Sequence, residues 1–290
     1  MTNFEKLNTF YDANVFSIEF IGSLFLTFFV FMAKYFVIKT KKGNIFLAIS
    51  YTSSVVISIV FTWTISRFLM RVESSAYLNP INVIVQSFIQ GITKNLNGLP
   101  LINGIWYLLG AQLLGSLVAV FFLFFATLFL EWYLNVNQKK FYMFFMFFIS
   151  KTNDNKNENI TFYDLFKSEK VASLKHFIKE LFFISIFILL VPFIGYINDI
   201  KFQVNNYNKT FIMTVIVGII LIFSSKFNFF MFSIWINLVY LIVRLIFKKI
   251  TKNEIINFLS SLSLTIFLSM LISIFYLLLA NSAKITFSLS

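Results

Sequence analysis

Long apolar runs constrain this chain more than any other feature of its sequence. Only 12% of its 290 residues are charged and 59% are hydrophobic, a balance that a soluble domain of this length does not have. A helix rises about 1.5 Å per residue, so about 20 apolar residues cross the roughly 30 Å of a bilayer core. Six stretches meet this length and predict an all-α membrane protein: 14–38, 44–66, 104–130, 175–197, 210–224 extended by its flanks, and 255–280.

Two further apolar stretches are too short to cross. Residues 79–90 and 237–247 would each be about 17 Å long as helices, half of a bilayer. A half-length helix at membrane depth needs protein or a water-filled cavity around its backbone, so we predict two re-entrant half-helices. Gly91 is the expected C′ residue that ends the first. A third short run, 141–149, is expected at the membrane interface.

The order of these stretches repeats. Glu19 in the first span precedes Asn79 by 60 residues, and Glu180 in the fourth span precedes Asn237 by 57. Each half therefore contains two spans, a half-helix and a third span. Because three is an odd number, the second half enters the membrane inverted, as in transporters whose sites lie at the midplane. The prediction is a single domain, 1–290, made of a first repeat, a connecting loop and an inverted second repeat: 14–130, 131–174 and 175–280.

Three short segments carry a family resemblance. Ser74-Ser-Ala-Tyr-Leu-Asn-Pro-Ile81 resembles the first signature loop of the aquaporin and aquaglyceroporin (major intrinsic protein) family. Ile18-Glu-Phe-Ile-Gly22 and Ala111-Gln-Leu-Leu-Gly115 are similar to parts of its first and third spans. In the second half the likeness rests on Glu180 and Ser233-Ile-Trp-Ile-Asn237. The resemblance implies six transmembrane helices, two half-helices that meet end to end, a homotetramer, and passage of water or a small neutral solute such as glycerol.

The signature residues suit the start of a helix. Asn is a preferred N-cap and Pro is favoured at the next position, so Asn79 and Pro80 would begin a half-helix. If two such helices meet head to head, their positive dipole ends repel cations, and each Asn amide donates to a passing oxygen. In the second loop the proline is missing after Asn237, which is still expected to cap. The candidate pore residues are Asn79, Pro80, Ile81, Asn237, Leu238 and Val239.

The selectivity filter that the resemblance implies has lost its arginine. Tyr240 stands at that position, and Arg244 follows one helical turn later on the same face. Arg244 either replaces part of the lost charge or extends to the membrane surface. The other filter positions are Ile59, Ser225 and Ile234. Because this set is mostly apolar, a polyol or another small neutral solute fits as well as water.

Glu19 and Glu180 are acids inside predicted spans, where a carboxylate is costly and usually has a role. The resemblance implies that both brace the signature loops through hydrogen bonds, and the alternative is proton coupling in a transporter. Gly22 and Gly115, with Gln112 beside the latter, are expected at close helix contacts.

Other classes of function lack their residues. The chain has no Cys and a single His, His176, so we expect no metal site and no cofactor. It contains no HExxH pair, nucleophile elbow or phosphate-binding glycine loop, so we expect no enzyme. The net charge of +12 lies in loops beside apolar spans, which indicates contact with lipid head groups and not with nucleic acid. The alternatives to a channel are a proton-coupled transporter and a non-conducting scaffold.

The expected location is the cell membrane, crossed several times. The 42 Phe residues indicate AT-rich codons and a low-GC bacterium. With the family's cytoplasmic N-terminus, only 7 of the 24 Lys and Arg residues would lie inside, whereas the positive-inside rule favours the opposite. Either the family topology overrides the rule or the molecule is inserted upside down.

Overall fold

Eight α-helices make up most of the part of the chain that the structure, a computed structural model, describes. That part comprises residues 11–71, 76–93, 101–136, 162–166, 173–196, 206–230 and 233–283. The helices are α1 Ala13–Lys39, α2 Asn44–Ile65, α3 Pro80–Thr93, α4 Leu101–Val136, α5 Ser173–Tyr196, α6 Asn206–Ser225, α7 Ile234–Ile246 and α8 Lys252–Ala283. A π-helical turn, Ser66–Met70, continues α2, and a short 3-10 helix, Phe162–Phe166, lies between α4 and α5. The predicted interfacial run 141–149 lies outside the described residues.

The long helices confirm an α-helical membrane protein. Five of them, α1, α2, α4, α6 and α8, are long and apolar enough to cross a bilayer. Helix α5 has 24 residues, which is about 36 Å of helix. The outward surfaces carry large apolar side chains, such as Phe121, Phe211 and Phe267, which are each more than half exposed. A surface of this kind is unfavourable in water and suits contact with lipid.

The two halves pack in the same way. In the first half α1 packs against α2 and α4, and in the second half α5 packs against α6 and α8. The short helix α3 contacts α4 of its own half and α8 of the other half. Correspondingly, α7 contacts α8 of its own half and α4 of the other. Finally, α2 contacts α6, the equivalent helix of the second half. Each of these contacts thus has its counterpart when the halves are exchanged.

Each short helix buries its apolar face largely in the opposite half. Ile81, Val85 and Ile89 of α3 form a cluster with apolar residues of α5 and α8. Val239 and Val243 of α7 lie in a second cluster, built mostly from α1 and α2. Since burial of apolar side chains drives packing, these exchanged contacts hold the two halves together.

The ends of the short helices differ from the sequence prediction. Helix α3 continues through Gly91 to Thr93, so Gly91 is not its C′ residue. A single glycine costs a helix only about 1 kcal/mol relative to alanine, and here the helix tolerates it. Helix α7 begins at Ile234, three residues before the predicted start at Asn237. The earlier start buries Ile234 and Ile236.

Candidate functional site

The first short helix begins as its residue types suggest. The Oδ1 atom of Asn79 accepts a hydrogen bond of 3.1 Å from the backbone N–H of Ile81, which is an N-cap, and Pro80 is the first helical residue. Asn79 and Pro80 are buried. Leu78, just before the cap, has a left-handed backbone with φ of 58°. Leu78 is buried as well, so the turn that leads into the helix lies inside the protein.

Glu19 holds that loop. Its carboxylate is 1% exposed, and Oε1 accepts a hydrogen bond of 2.6 Å from the backbone N–H of Tyr77. Its other oxygen, Oε2, accepts one of 2.8 Å from the Nε2 amide of Gln112. Both carboxylate oxygens are therefore paired, which a buried acid requires. The carboxylate joins α1, the loop before α3, and α4.

Gln112 extends this connection to the second short helix. Its Oε1 atom accepts a hydrogen bond of 3.3 Å from the indole Nε1–H of Trp235, and the Gln112 side chain is fully buried. Trp235 lies in the first turn of α7. A continuous chain of side-chain hydrogen bonds thus runs from the loop before α3 to the first turn of α7. The N-terminal ends of both short helices are tied to one buried amide and one buried acid.

The second short helix is capped by Ser233 and not by Asn237. The Ser233 hydroxyl accepts a hydrogen bond of 3.3 Å from the N–H of Trp235. Asn237 lies one turn inside the helix, where its own N–H donates to the Ser233 carbonyl. Leu238 and Val239 follow within the helix, and Val239 is fully buried in the cluster around α1 and α2. Ser233 is therefore the residue of the second half that corresponds to the cap Asn79 of the first half.

The predicted filter residues lie in different surroundings. Ile234 is buried as the first residue of α7, and Ser225 is buried at the end of α6. Ile59 and Tyr240 pack at the edge of the cluster around α1 and α2. The Tyr240 ring also lies 5.3 Å from the ammonium of Lys34, within cation–π range. Of these four residues, Ile234 is the one that directly follows an N-cap, Ser233.

Arg244 has a structural position at the far end of α7. Its guanidinium donates to the Phe166 carbonyl at 3.0 Å and to the Lys249 carbonyl at 2.7 Å, and Nε lies 2.9 Å from Oε1 of Glu254. The residue is 8% exposed, so other parts of the protein enclose its charge. It lies 11 residues beyond Ser233, about 16 Å along the helix. Neither sequence interpretation of Arg244 included these three partners.

Glu180 differs from its counterpart in the first half. It is fully buried, yet among the described residues neither carboxylate oxygen has a hydrogen-bond partner. Nε2 of His176, one turn earlier, lies 3.5 Å from Oε2. Ser261 of α8 is close enough to interact with the carboxylate, but without hydrogen-bond geometry. Among the described residues, Glu19 makes hydrogen bonds to a signature loop of the kind that the resemblance implies, and Glu180 makes none.

Gly22 and Gly115 lie at close contacts. A Cβ atom on Gly115 would overlap the carbonyl of Phe20, where α4 crosses α1. A Cβ on Gly22 would lie 2.6 Å from Cδ2 of Leu78 and 2.9 Å from Cβ of Ala76. The same Cβ would lie 3.2 Å from Oγ1 of Thr62 in α2. Gly115 therefore permits contact between α1 and α4, and Gly22 admits both α2 and the loop before α3.

Tyr77 and Trp235 belong to the site but were not predicted from the sequence. Trp235 had one signal, since a partly buried indole N–H usually finds an acceptor, but its acceptor is 123 residues away. Nothing in the sequence indicated that the backbone N–H of Tyr77 would donate to Glu19.

No family model, curated protein or solved structure matches this chain.

Within the described residues, no group of three or more His, Cys, Asp or Glu side chains could hold a metal ion. One cavity, of about 20 Å³, lies beside Ile81 and is lined by apolar residues of α5 and α6 together with Ser224 and Phe229.

Proposed function

We propose that this protein is a passive membrane channel for water or a small neutral solute such as glycerol. In this proposal α5 is a sixth transmembrane helix, the two halves form an inverted repeat, and α3 and α7 enter the membrane from opposite sides. The solute passes between their N-terminal ends, beside the caps Asn79 and Ser233. The symmetric packing of the two halves supports this architecture.

The observation that carries the proposal is the hydrogen-bonded chain through Glu19 and Gln112. It links Tyr77, two residues before the cap of α3, to Trp235 in the first turn of α7. A buried acid and a buried amide are costly inside a membrane. In this proposal Glu19 and Gln112 position the starts of the two short helices. Helix starts carry partial positive charge and unpaired N–H donors.

The electrostatics of the helix ends suit a neutral solute. Two facing N-termini repel cations, while amide and hydroxyl groups there exchange hydrogen bonds with water or an alcohol. The described filter positions add no cation at this point, because Arg244 is bound elsewhere. The proposed channel therefore excludes cations, and the described residues do not select one small neutral solute over another.

Flux measurements on purified protein in liposomes test this proposal. We expect swelling or shrinkage under gradients of water, glycerol or urea, without dependence on a proton gradient. Asn79→Asp places a negative charge at the cap of α3, and we expect it to reduce neutral flux or to admit cations. Asn44→Asp, at an exposed helix start, is the matched control and should leave flux unchanged. Unaltered flux and ion exclusion in Asn79→Asp would refute the pore role of this residue.

A second candidate, proton-coupled transport, is favoured by Glu180. A fully buried carboxyl group without a hydrogen-bond partner is the arrangement expected of a group that gains and loses a proton. Solute uptake that appears only with an imposed pH gradient, and that Glu180→Gln abolishes, would select this function over the channel. Uptake that depends neither on the pH gradient nor on the Glu180→Gln change would favour the channel.

A further inference from the structure

Helix α8 carries a row of polar side chains that face the protein interior. Asn257, Ser261, Thr265, Ser269 and Ser273 follow one another at intervals of four residues, so each lies next to the following one on the helix surface, and the row winds slowly around α8 over about 24 Å. The four hydroxyl residues are each 1% exposed or less. Their neighbours on the lipid side, such as Ile266 and Phe267, are apolar and exposed.

Three of these hydroxyls lack partners within the part of the chain that the structure describes: Ser261, Thr265 and Ser269. Helix α2 shows the usual alternative. There Ser54 and Ser58 donate to the carbonyl four residues earlier, at 2.9 Å and 2.7 Å, as hydroxyls in membrane helices commonly do.

The two ends of the row differ. Ser273 donates to the carbonyls of Ser269 and of Val85 in α3, so this end is closed by protein. At the other end the Oδ1 atom of Asn257 is buried and without a partner among the described residues. Next to it in sequence, Ile255 and Ile256 are exposed. Protein therefore closes the row at Ser273, whereas no hydrogen bond among the described residues closes it at Asn257.

Glu180 supplies an independent observation at the same place. It comes from α5, it is fully buried, and neither carboxylate oxygen accepts a hydrogen bond within the described structure, although Nε2 of His176 lies 3.5 Å from Oε2. A hydroxyl that interacts with it is that of Ser261, which belongs to the row. Unpaired polar groups from two helices thus face one another. In native proteins such groups are commonly satisfied by bound water, which makes two to four hydrogen bonds at a polar site.

We propose that these residues line a blind, water-filled seam. A file of bound water molecules enters beside Asn257, solvates the carboxyl group of Glu180 opposite Ser261, and ends at Ser269, where the contact of Ser273 with α3 closes the path. Water is the ligand that fits, because the row offers one amide and four small hydroxyl groups and no cluster of charges at one point. The seam is separate from the passage between the caps of α3 and α7, and it does not require that any solute crosses the membrane.

Silver ions test the seam, since the chain contains no cysteine. Ag⁺ is small, stays in water and binds thiolates. Single variants Ser261→Cys and Thr265→Cys place a thiol in the seam. Two control variants place it nearby: Ser263→Cys on the exposed lipid side, and Leu268→Cys in the apolar cluster with α3 and α5. A thiol in apolar surroundings forms little thiolate, and one pKa unit changes the reactive fraction about tenfold.

We expect Ag⁺ to protect the two seam thiols from later maleimide labelling at least about tenfold faster than either control thiol. The protection should occur in only one of two preparations, intact cells or inside-out membrane vesicles, because the seam opens on one side. Seam thiols that react no faster than Leu268→Cys would show a dry interface and overturn the proposal. Equal rates in both preparations would overturn the closed end. This experiment does not measure flux. A channel with a dry seam and a protein with a hydrated seam but no flux would therefore give different labelling results.

Discussion

Gly115 of α4 lies directly against the backbone carbonyl of Phe20 in α1. No side chain separates the two helices at this point. The contact lies three residues from Gln112 in one helix and one residue from Glu19 in the other. The close approach of the backbones therefore sets the distance over which Gln112 reaches the Glu19 carboxylate.

Gly115→Ala should consequently destabilise the protein. The added Cβ overlaps the Phe20 carbonyl, so α1 and α4 must separate, and overpacking of this kind costs about 1–3 kcal/mol. Gly110→Ala in the same helix is the matched control, because a Cβ there meets nothing within 4 Å; alanine should be neutral or stabilising by up to about 1 kcal/mol. Thermal unfolding in detergent compares the two. Similar losses in both variants would contradict the close contact at Gly115.

Glu19→Gln should weaken the loop before α3. The substitution replaces one carboxylate oxygen with an NH₂ group, so an N–H donor then faces either Tyr77 or Gln112, which both donate to this position. An unsatisfied buried donor costs about 1–3 kcal/mol. Glu131→Gln is the control: its pair with Lys39 at 3.1 Å is partly open to solvent, so water can replace a lost partner, and the remaining amide oxygen can still accept from the Tyr35 hydroxyl. Unfolding midpoints that rank the two variants in the other order would remove the bracing role of Glu19.

Trp235→Phe should reveal the link between Gln112 and α7. It keeps an aromatic ring and removes the indole N–H that donates to Gln112, so the expected loss is about 0.5–1.5 kcal/mol. The same change made in a Gln112→Leu background should have a smaller effect, since the acceptor is already gone. A double-mutant cycle of unfolding free energies measures this coupling. Strictly additive losses would mean that the bond does not connect the two helices.

Hydropathy predicted the long helices because lipid leaves the backbone few alternatives to a helix. The first span, expected at 14–38, is found as Ala13–Lys39. The prediction was poorer where tertiary contacts set the end. Helix α4, expected at 104–130, continues to Val136, and in this extension Glu131 binds the Tyr35 hydroxyl and Lys39. Such contacts join residues more than 90 positions apart, and local composition does not report them.

Within the candidate site, the sequence indicated Asn79 and Glu19 but misplaced the second cap. Ser233 and Asn237 are both good N-cap residues, and the family resemblance favoured Asn237. Burial decides between them, because a helix that begins after Ser233 buries Ile234 at 2% exposure and Ile236 at 6%. The Gln112–Trp235 bond required the fold, since neither residue type specifies its partner.

Arg244→Lys should distinguish a structural arginine from a filter residue. Arginine reaches Glu254, Phe166 and Lys249 at once because its planar group carries five donors, whereas the lysine ammonium is a single point charge. Lysine keeps the charge but loses part of this set, so we expect about 1–3 kcal/mol of destabilisation from the unsatisfied carbonyls. Ion exclusion should be unchanged in protein that remains folded. Flux and thermal unfolding measured on the same preparation separate the two roles: altered selectivity at full stability would return Arg244 to the filter. Glu254→Gln, which removes the charge of its partner, should lower stability in the same direction and likewise leave selectivity intact.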